Sequence, residues 1–360
     1  MSALKKEIIE TIAHDGPMSL ERYMSLCLSH PRYGYYMTRD PFGAGGDFVT
    51  APEISQMFGE LLGVWVTEAW RGAGAPDEAR LVELGPGRGT LMSDVLRVTP
   101  IAPNFYSAVT VHLVETSPTL REAQRQTLAR AAKPAQWHSD FSETPPGPAF
   151  IIANEFFDAL PVRHYVKSAS GWREQLVGLD AEGELAFGLS DQIETALNVQ
   201  AREGSIIEVN VAAQKLMADI ATRLVAEGGA LLLIDYGYEQ TSLGDSLQAV
   251  SRHAYVDPLA APGEADLTAH VDFAALARAA AACGAKVMGP VTQTDFLLQL
   301  GIERRAETLS KKATPEQAQA IVDAFERLTG IDNARHQMGG LFKVMAVTHP
   351  EMPDLPGFFV

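Results

Sequence analysis

The residues Leu81-Val82-Glu83-Leu84-Gly85-Pro86-Gly87-Arg88-Gly89-Thr90 run an apolar segment into an acid and three alternate glycines. Gly85, Gly87 and Gly89 lack a Cβ, so the main chain can turn sharply there and a ligand can lie against the backbone. A turn of this kind after a strand suits a nucleoside-bearing cofactor. Dinucleotide sites need G-x-G-x-x-G, which would place the third glycine at position 90, where the chain has Thr90. A second chemical cluster is Ile151-Ile152-Ala153-Asn154-Glu155-Phe156-Phe157-Asp158, an apolar run that emerges into an amide and two carboxylates. Two acids three positions apart beside a cofactor suit a cationic acceptor that must lose a proton. A guanidinium is never appreciably neutral, so carboxylates must orient it and take its proton as a new bond forms. Glu155 and Asp158 are the candidates, with Asn154 beside them; the alternative is that Asn154 and Asp158 cap the turn and Glu155 is solvated.

The spacing E-x-G-x-G-x-G is the usual first motif of methyltransferases that use S-adenosylmethionine (SAM), a cofactor with a sulfonium cation and an amino-acid tail instead of a pyrophosphate. Glu83 is placed to favour that charge. Val111-His112-Leu113-Val114-Glu115 is a second apolar run closed by an acid, about 28 positions after Gly87, the distance at which Rossmann-like folds put a carboxylate on ribose hydroxyls. Glu115 is therefore the ribose candidate, or else an acid capping the helix that Thr116-Ser117-Pro118 would start. A third segment, Gln136 to Asp140, ends in an acid that could accept from the adenine amino group.

These residues need a framework that brings strand ends together. Apolar runs near 80–84, 110–115, 149–153, 229–235 and 341–347 alternate with helical patterns, which predicts an α/β fold: a Rossmann-like, mostly parallel sheet with helices on both faces. Ligands then sit at the carboxyl ends of the strands. Residues 1–75 read as an N-terminal helical cap, with helices at 3–14, 18–29 and 53–71 and a Gly-rich lid at 39–48. Residues 76–350 read as the SAM domain, with a hairpin insertion about 160–205 and a helical insertion about 303–335. Asp235 and Tyr236 end an apolar strand and reach the pocket rim or simply leave the strand. His270, between acids, is a general-base candidate, or Thr268 caps a helix there.

Composition narrows the classes. The 360 residues carry 45 Asp and Glu against 29 Lys and Arg, and no basic stripe occurs, which excludes phosphate-tracking nucleic-acid binding. The two cysteines, Cys27 and Cys283, lie far apart and form neither a disulfide framework nor a zinc motif. No metal site is expected. No apolar run reaches membrane-spanning length and no signal or transit segment is evident, so the expectation is a bacterial, cytoplasmic protein without membrane insertion.

Five blocks carry a closer likeness: Ser29-His30-Pro31-Arg32-Tyr33-Gly34-Tyr35-Tyr36, residues 46–55, residues 82–90, residues 153–161, and Asp266-Leu267-Thr268-Ala269-His270-Val271-Asp272-Phe273. Together they resemble the mitochondrial dysfunction protein A family, which includes complex I assembly factor 7, a protein-arginine methyltransferase. The resemblance implies SAM dependence. It also implies methylation of an arginine in the 49-kDa-type subunit of respiratory complex I during assembly, with Gly85, Gly87 and Gly89 at the cofactor and Asn154-Glu155 facing the acceptor. The alternatives are a small-molecule methyltransferase, and an assembly chaperone that binds SAM without turnover.

Overall fold

The computed structural model describes residues 2–38, 50–131, 133–332 and 337–359. Its main sheet contains β1 (Ala79–Leu84), β2 (Val109–Val114), β3 (Ala135–His138), β4 (Ala149–Asn154), β5 (Gly229–Tyr238), β6 (Lys286–Thr292) and β7 (Phe342–Thr348). The spatial order is β6-β7-β5-β4-β1-β2-β3. Strands β1 to β5 run parallel, whereas β7 is antiparallel to both β5 and β6. From β1 the chain moves outward through β2 and β3, then crosses back to β4. The crevice above the β1 and β4 carboxyl ends is the place where such a sheet binds ligands.

The central strands are apolar on both faces because both faces are covered. Leu81, Phe150, Ile152, Leu232 and Ile234 pack toward the helices Gln56–Gly72 and Thr90–Val98. Val82, Ile151, Leu231 and Leu233 pack toward the helices Val211–Glu227 and Phe273–Ala282. Period-two alternation along each strand thus divides one sheet between two cores.

A second sheet joins Arg163–Ser168, Gly171–Leu179, Leu185–Leu189 and Ile206–Val209 with Met18–Ser19. The helices Ala3–Asp15 and Leu20–Ser29 pack on it through Leu4, Ile8, Leu20 and Met24, which meet Val162 and Val177. A third sheet, Gln248–Ser251, Ala254–Val256 and Asp266–Thr268, lies against the same helices through Ala249 and Leu267.

Several elements differ from their expected form. The helix expected at 53–71 is two, Ala51–Ile54 and Gln56–Gly72, because Ser55 is extended at φ −160° and its hydroxyl caps the second helix at Met57 N. That second helix packs on the main sheet. The helix expected from 18 starts at Leu20, since Met18 and Ser19 pair with Val177 and Leu176. Strand β6 gives a poor strand signal, as Gly289-Pro290 interrupts it, and an edge position beside a register shift is where proline is tolerated. The Gly-rich segment at 39–48 lies wholly outside the described residues. Among the described residues no helix is long and apolar enough to cross a membrane.

Gly229 opens β5 at φ +114°, and a Cβ there would collide with the Ala149 carbonyl oxygen. Its neighbour Gly228, at φ +86°, has nothing within 4 Å of the position a Cβ would take. Gly228→Ala should therefore lower the unfolding free energy by about 1 kcal/mol, the cost of a left-handed alanine. Gly229→Ala should lower it by about 3 kcal/mol or more, because strain and a backbone collision add. Urea unfolding of the two variants checks the ordering, and equal losses would refute it.

Candidate active site

A cavity of about 1100 Å³ opens above the carboxyl ends of β1, β4 and β5. At one end it is lined by Gly85, Gly87, Glu115, Thr116 and Leu120, and at the other by Tyr36, Asp158, Tyr236, Asp266 and His270. Glu155 and Phe156 lie between them. The two ends differ in chemistry.

At the first end the glycine turn is conformationally demanding. Gly85, Gly87 and Gly89 all have positive φ, at 60°, 52° and 82°. A Cβ on Gly85 would also lie 2.6 Å from the Phe156 ring. Gly89 starts the helix Thr90–Val98, whose Thr90 hydroxyl donates to Glu53 Oε1 at 2.5 Å and ties the turn to the helix Ala51–Ile54. Glu83 lies under the turn, and burial pushes its carboxyl up to about 8 against the opposing Met92 N–H. Its Oε2 and the Asn154 Oδ1 are buried with no hydrogen-bond partner among the described residues. Both residues border a small cavity shared with Gly85, Gly87 and Glu155. Two unmatched acceptors beside a buried acid call for a ligand that brings N–H donors and positive charge. The ammonium-bearing tail of SAM meets that requirement.

Glu115 closes β2 at the same end. Its Oε1 accepts from Ser117 N at 2.7 Å and its Oε2 from Gln124 Nε2 at 3.2 Å. Gln124 also donates to the Gly87 carbonyl at 2.8 Å, so one amide braces the acid against the glycine turn. The Thr116-Ser117 start of the helix Pro118–Leu128 is capped by the Ser117 hydroxyl, not by Glu115. Burial raises the Glu115 carboxyl. Asp140 is exposed and does not line the cavity; its Oδ1 accepts from Ser142 N at 2.8 Å and from the Ser142 hydroxyl at 2.5 Å, bonds that hold it below the usual carboxylate range.

The acceptor end is built around Asp235, which is fully buried. Its Oδ2 accepts from the N–H groups of Phe156, Phe157 and Asp158 at 3.2, 2.9 and 3.2 Å, and its Oδ1 from Tyr236 N at 2.9 Å. One carboxylate thereby shapes the turn that leaves β4. Glu155 takes the left-handed conformation at φ +50°, uncommon for a residue with a Cβ, and its Oε1 accepts from Ala51 N at 3.1 Å and Asn154 Nδ2 at 3.3 Å. Asp158 Oδ2 accepts from the Tyr236 hydroxyl at 2.5 Å, and across the cavity Asp266 Oδ1 accepts from the Tyr36 hydroxyl at 2.8 Å. Burial drives the carboxyls of Glu155 and Asp158 up, to about 7 and about 6. Asp235 is raised as well, first by burial and then by the charges of Asp158 and Glu155.

Glu155 and Asp158 thus come together as expected. Asn154 faces the smaller cavity at the glycine turn and supports Glu155 through its amide. Asp235 takes the Phe156, Phe157 and Asp158 N–H groups of the turn, the Asp158 carboxylate accepts from the Ala159 N–H, and Asn154 turns its amide to Glu155 instead. His270 lines the cavity with its ring edge-on to Tyr236, and burial lowers its pKa. The helix near it is capped by Asp272, whose Oδ1 accepts from Ala275 N at 2.8 Å, while Thr268 ends a strand. Sequence reasoning misses two site builders, Tyr36 and the clamp role of Asp235. An acid ending a wholly apolar strand was the available signal for Asp235.

Asp235→Asn replaces one of the two accepting oxygens with an NH2 donor that must face at least one of the four N–H groups, and should lower the unfolding free energy by about 1–3 kcal/mol. Glu115→Ala, which removes charge-assisted acceptors, should weaken SAM binding by about ten- to a hundredfold and, by leaving the Ser117 N–H and the Gln124 amide short of an acceptor, lower the unfolding free energy by about 1–3 kcal/mol. Calorimetric titration with SAM and chemical unfolding check both, and an unaltered dissociation constant in Glu115→Ala would move the ribose contact elsewhere.

Residues 61–291 match the model of a family described as S-adenosyl-L-methionine-dependent methyltransferases. The protein arginine methyltransferase NDUFAF7, mitochondrial, of Xenopus tropicalis is 37% identical over 99% of this chain and 89% of its own length. The homologue named for Drosophila melanogaster is 38% identical over 96% of this chain and 84% of its length, and that of Homo sapiens 35% over 91% and 80%. A Burkholderia thailandensis protein crystallised with S-adenosyl-homocysteine superposes with a TM-score of 0.86, at 28% identity over 99% of this chain and 94% of that one. The relatives named mitochondrial overturn the expectation of a bacterial cytoplasmic protein. The glycine turn, its unmatched buried acceptors and these likenesses agree: the chain belongs to the family of SAM-dependent methyltransferases that includes the mitochondrial protein arginine methyltransferases NDUFAF7.

Proposed function

We propose that this methyltransferase acts on an arginine side chain of a protein, with a 49-kDa-type subunit of respiratory complex I as the acceptor. The observation that carries the reading is the acid-rich acceptor side of the cavity, where Asp158 and Asp266 sit with Tyr36 and Tyr236 and Glu155 stands between them and the glycine turn. Burial raises the proton affinity of Glu155 and Asp158, the charge of Asp158 adds to the rise at Glu155, and a cation relieves both. A planar guanidinium offers five N–H donors in a fixed fork and matches several carboxylates at once, while an ammonium is a compact point charge. An acceptor presented within a protein segment fits the names of the relatives.

Bound SAM supplies an electrophilic methyl group on sulfur. Glu83 and Glu115 hold the cofactor's polar ends, and the glycine turn lets it lie against the main chain. Glu155, between the two ends of the cavity, orients the acceptor nitrogen, and Asp158 shares the guanidinium charge while Tyr236 fixes its carboxylate. The acceptor N–C bond would form as the methyl–sulfur bond breaks, with that electron pair left on the sulfur of departing S-adenosylhomocysteine; an N–H proton leaves the guanidinium for a carboxylate, so the accepting acid must enter the reaction ionised.

Raised carboxyls near 6 and 7 mean that lowering pH protonates Asp158 and Glu155 in the free enzyme. The profile of kcat/KM should rise between about pH 5.5 and 8, since this parameter reports free-enzyme ionisations. Glu155→Gln should keep SAM affinity but lose about a hundredfold in kcat, because hydrogen bonding survives and charge complementarity does not. Incubation with labelled SAM and the purified 49-kDa-type subunit, followed by mass mapping, tests the acceptor. Methyl on arginine, lost on Arg→Lys replacement, supports the assignment; methyl on lysine, or none, rejects it.

A further inference from the structure

The three-stranded sheet beside the cavity has one face in the core and one toward the acceptor end. Val250 pairs with Tyr255 on one side and with Asp266 on the other, so Tyr255, Val250 and Asp266 form a single cross-strand row. All three line the cavity, whereas Ala249 and Leu267, one position out of phase, are buried in the N-terminal core. The row leads from an open edge inward to an acid held by Tyr36.

The open edge is the strand Ala254–Val256, the exposed one of the sheet's two outer strands; the other, Asp266–Thr268, is buried. Its turn has two central residues, Arg252 and His253, with φ of 52° and 59°, the pattern of a type I′ hairpin without glycine. A two-residue turn makes Ser251 and Ala254 the hydrogen-bonded closing pair. At the next pair, Val250 and Tyr255, the main-chain N–H and C=O point away from each other, so those of Tyr255 face the open side. Residues 252–257 are all exposed, and the Tyr255 side chain is 78% exposed although it borders the cavity. Edge strands are ordinarily blunted by shortness, charge, proline or a bulge; this one is short, three residues, but Ala254, Tyr255 and Val256 carry no charge, proline or bulge.

We propose that the acceptor protein docks as an extended segment along the Ala254–Val256 edge. Tyr255 bonds its main chain and packs on it, and the arginine side chain turns inward over Val250 toward Asp266. The proposal rests on the protein-arginine reading above. Strand addition gives affinity through the main chain and leaves selection to the pocket that one side chain enters. Cavity and edge are continuous through one row of side chains, and the acids at its inner end complement the charge of the incoming residue.

The test uses the full chain with the 49-kDa-type subunit as acceptor. Tyr255→Pro removes the outward N–H without touching bonds to Gln248–Ser251, and Tyr255→Ala removes the ring alone. Each should raise KM for the acceptor by about tenfold or more, as loss of an interface anchor does, while kcat at saturation and S-adenosyl-homocysteine affinity hold. Hydrogen exchange at the Tyr255 amide should be fast in the free protein and slowed by the acceptor. Unchanged KM in both variants, or slow exchange in the free protein, would overturn the docking edge while leaving arginine methylation intact. A wild-type enzyme that places no methyl on the subunit removes the protein-arginine reading, and the docking proposal with it.

Discussion

Asp235 is the interaction on which the site depends. A single buried oxygen collecting three successive N–H groups turns the chain sharply as it leaves β4, and the second oxygen fixes the start of the exit from β5. The turn would otherwise have three buried donors to satisfy, and the exit from β5 a fourth. Holding those donors on one acid also lets Glu155 occupy a left-handed conformation, a strain that persists only where its surroundings over-determine it. The parallel pairing of β4 with β5 brings Ile234 opposite Asn154, which sets Asp235 directly beneath the turn it clamps. Register in the sheet core is therefore converted into the position of two acids at its edge.

The same arrangement explains the electrostatics. Burial raises the proton affinity of Asp235, Asp158 and Glu155; the charge of Asp158 adds to the rise at Glu155, and those of Asp158 and Glu155 add to it at Asp235. The positive charge of Arg327 opposes this at Glu155 but is the smallest of the influences on it. The hydroxyl of Tyr236 offsets part of the cost at Asp158, and Ala51 N–H part at Glu155. A site assembled this way favours a cation over water, and SAM and a guanidinium are both cations. Bringing two like charges together for reaction is unfavourable in water, and a surrounding set of fixed carboxylates removes much of that repulsion.

Much of the framework was legible in the sequence because the central strands are buried on both faces. Continuous apolar runs such as Phe150–Ala153 and Leu231–Ile234 have few alternatives in an α/β chain, and the acids that end them mark the ligand side of the sheet. Edge elements were less legible. The strand Ala135–His138 is short and mixed in polarity, and the strand Lys286–Thr292 is interrupted by Gly289-Pro290. Spacing identified Glu83, Glu115, Glu155 and Asp158 as a group but could not distribute the hydrogen bonds among them. Tyr36 and Asp266 meet across 230 positions of sequence, a pairing that only the packing of the helix Leu20–Ser29 against the third sheet brings about. Local pattern carries no trace of such a contact.

The appended parts are joined to the catalytic sheet by that same packing. Leu28 and Tyr36 reach the cavity from the N-terminal segment, Asp266 and His270 from the third sheet and the loop after it, and Met338 and Leu341 from the approach to β7. The cofactor end, by contrast, is lined by elements of the main sheet, through the turns after β1 and β2. Cofactor affinity and acceptor choice are thus carried by different parts of the chain that meet at Glu155. Tyr23 and Leu28 belong to the core that backs the acceptor wall, whereas the strands that carry the glycine turn rest on the two cores of the main sheet. A fold divided in this way can alter what it methylates without rebuilding how it holds the methyl donor.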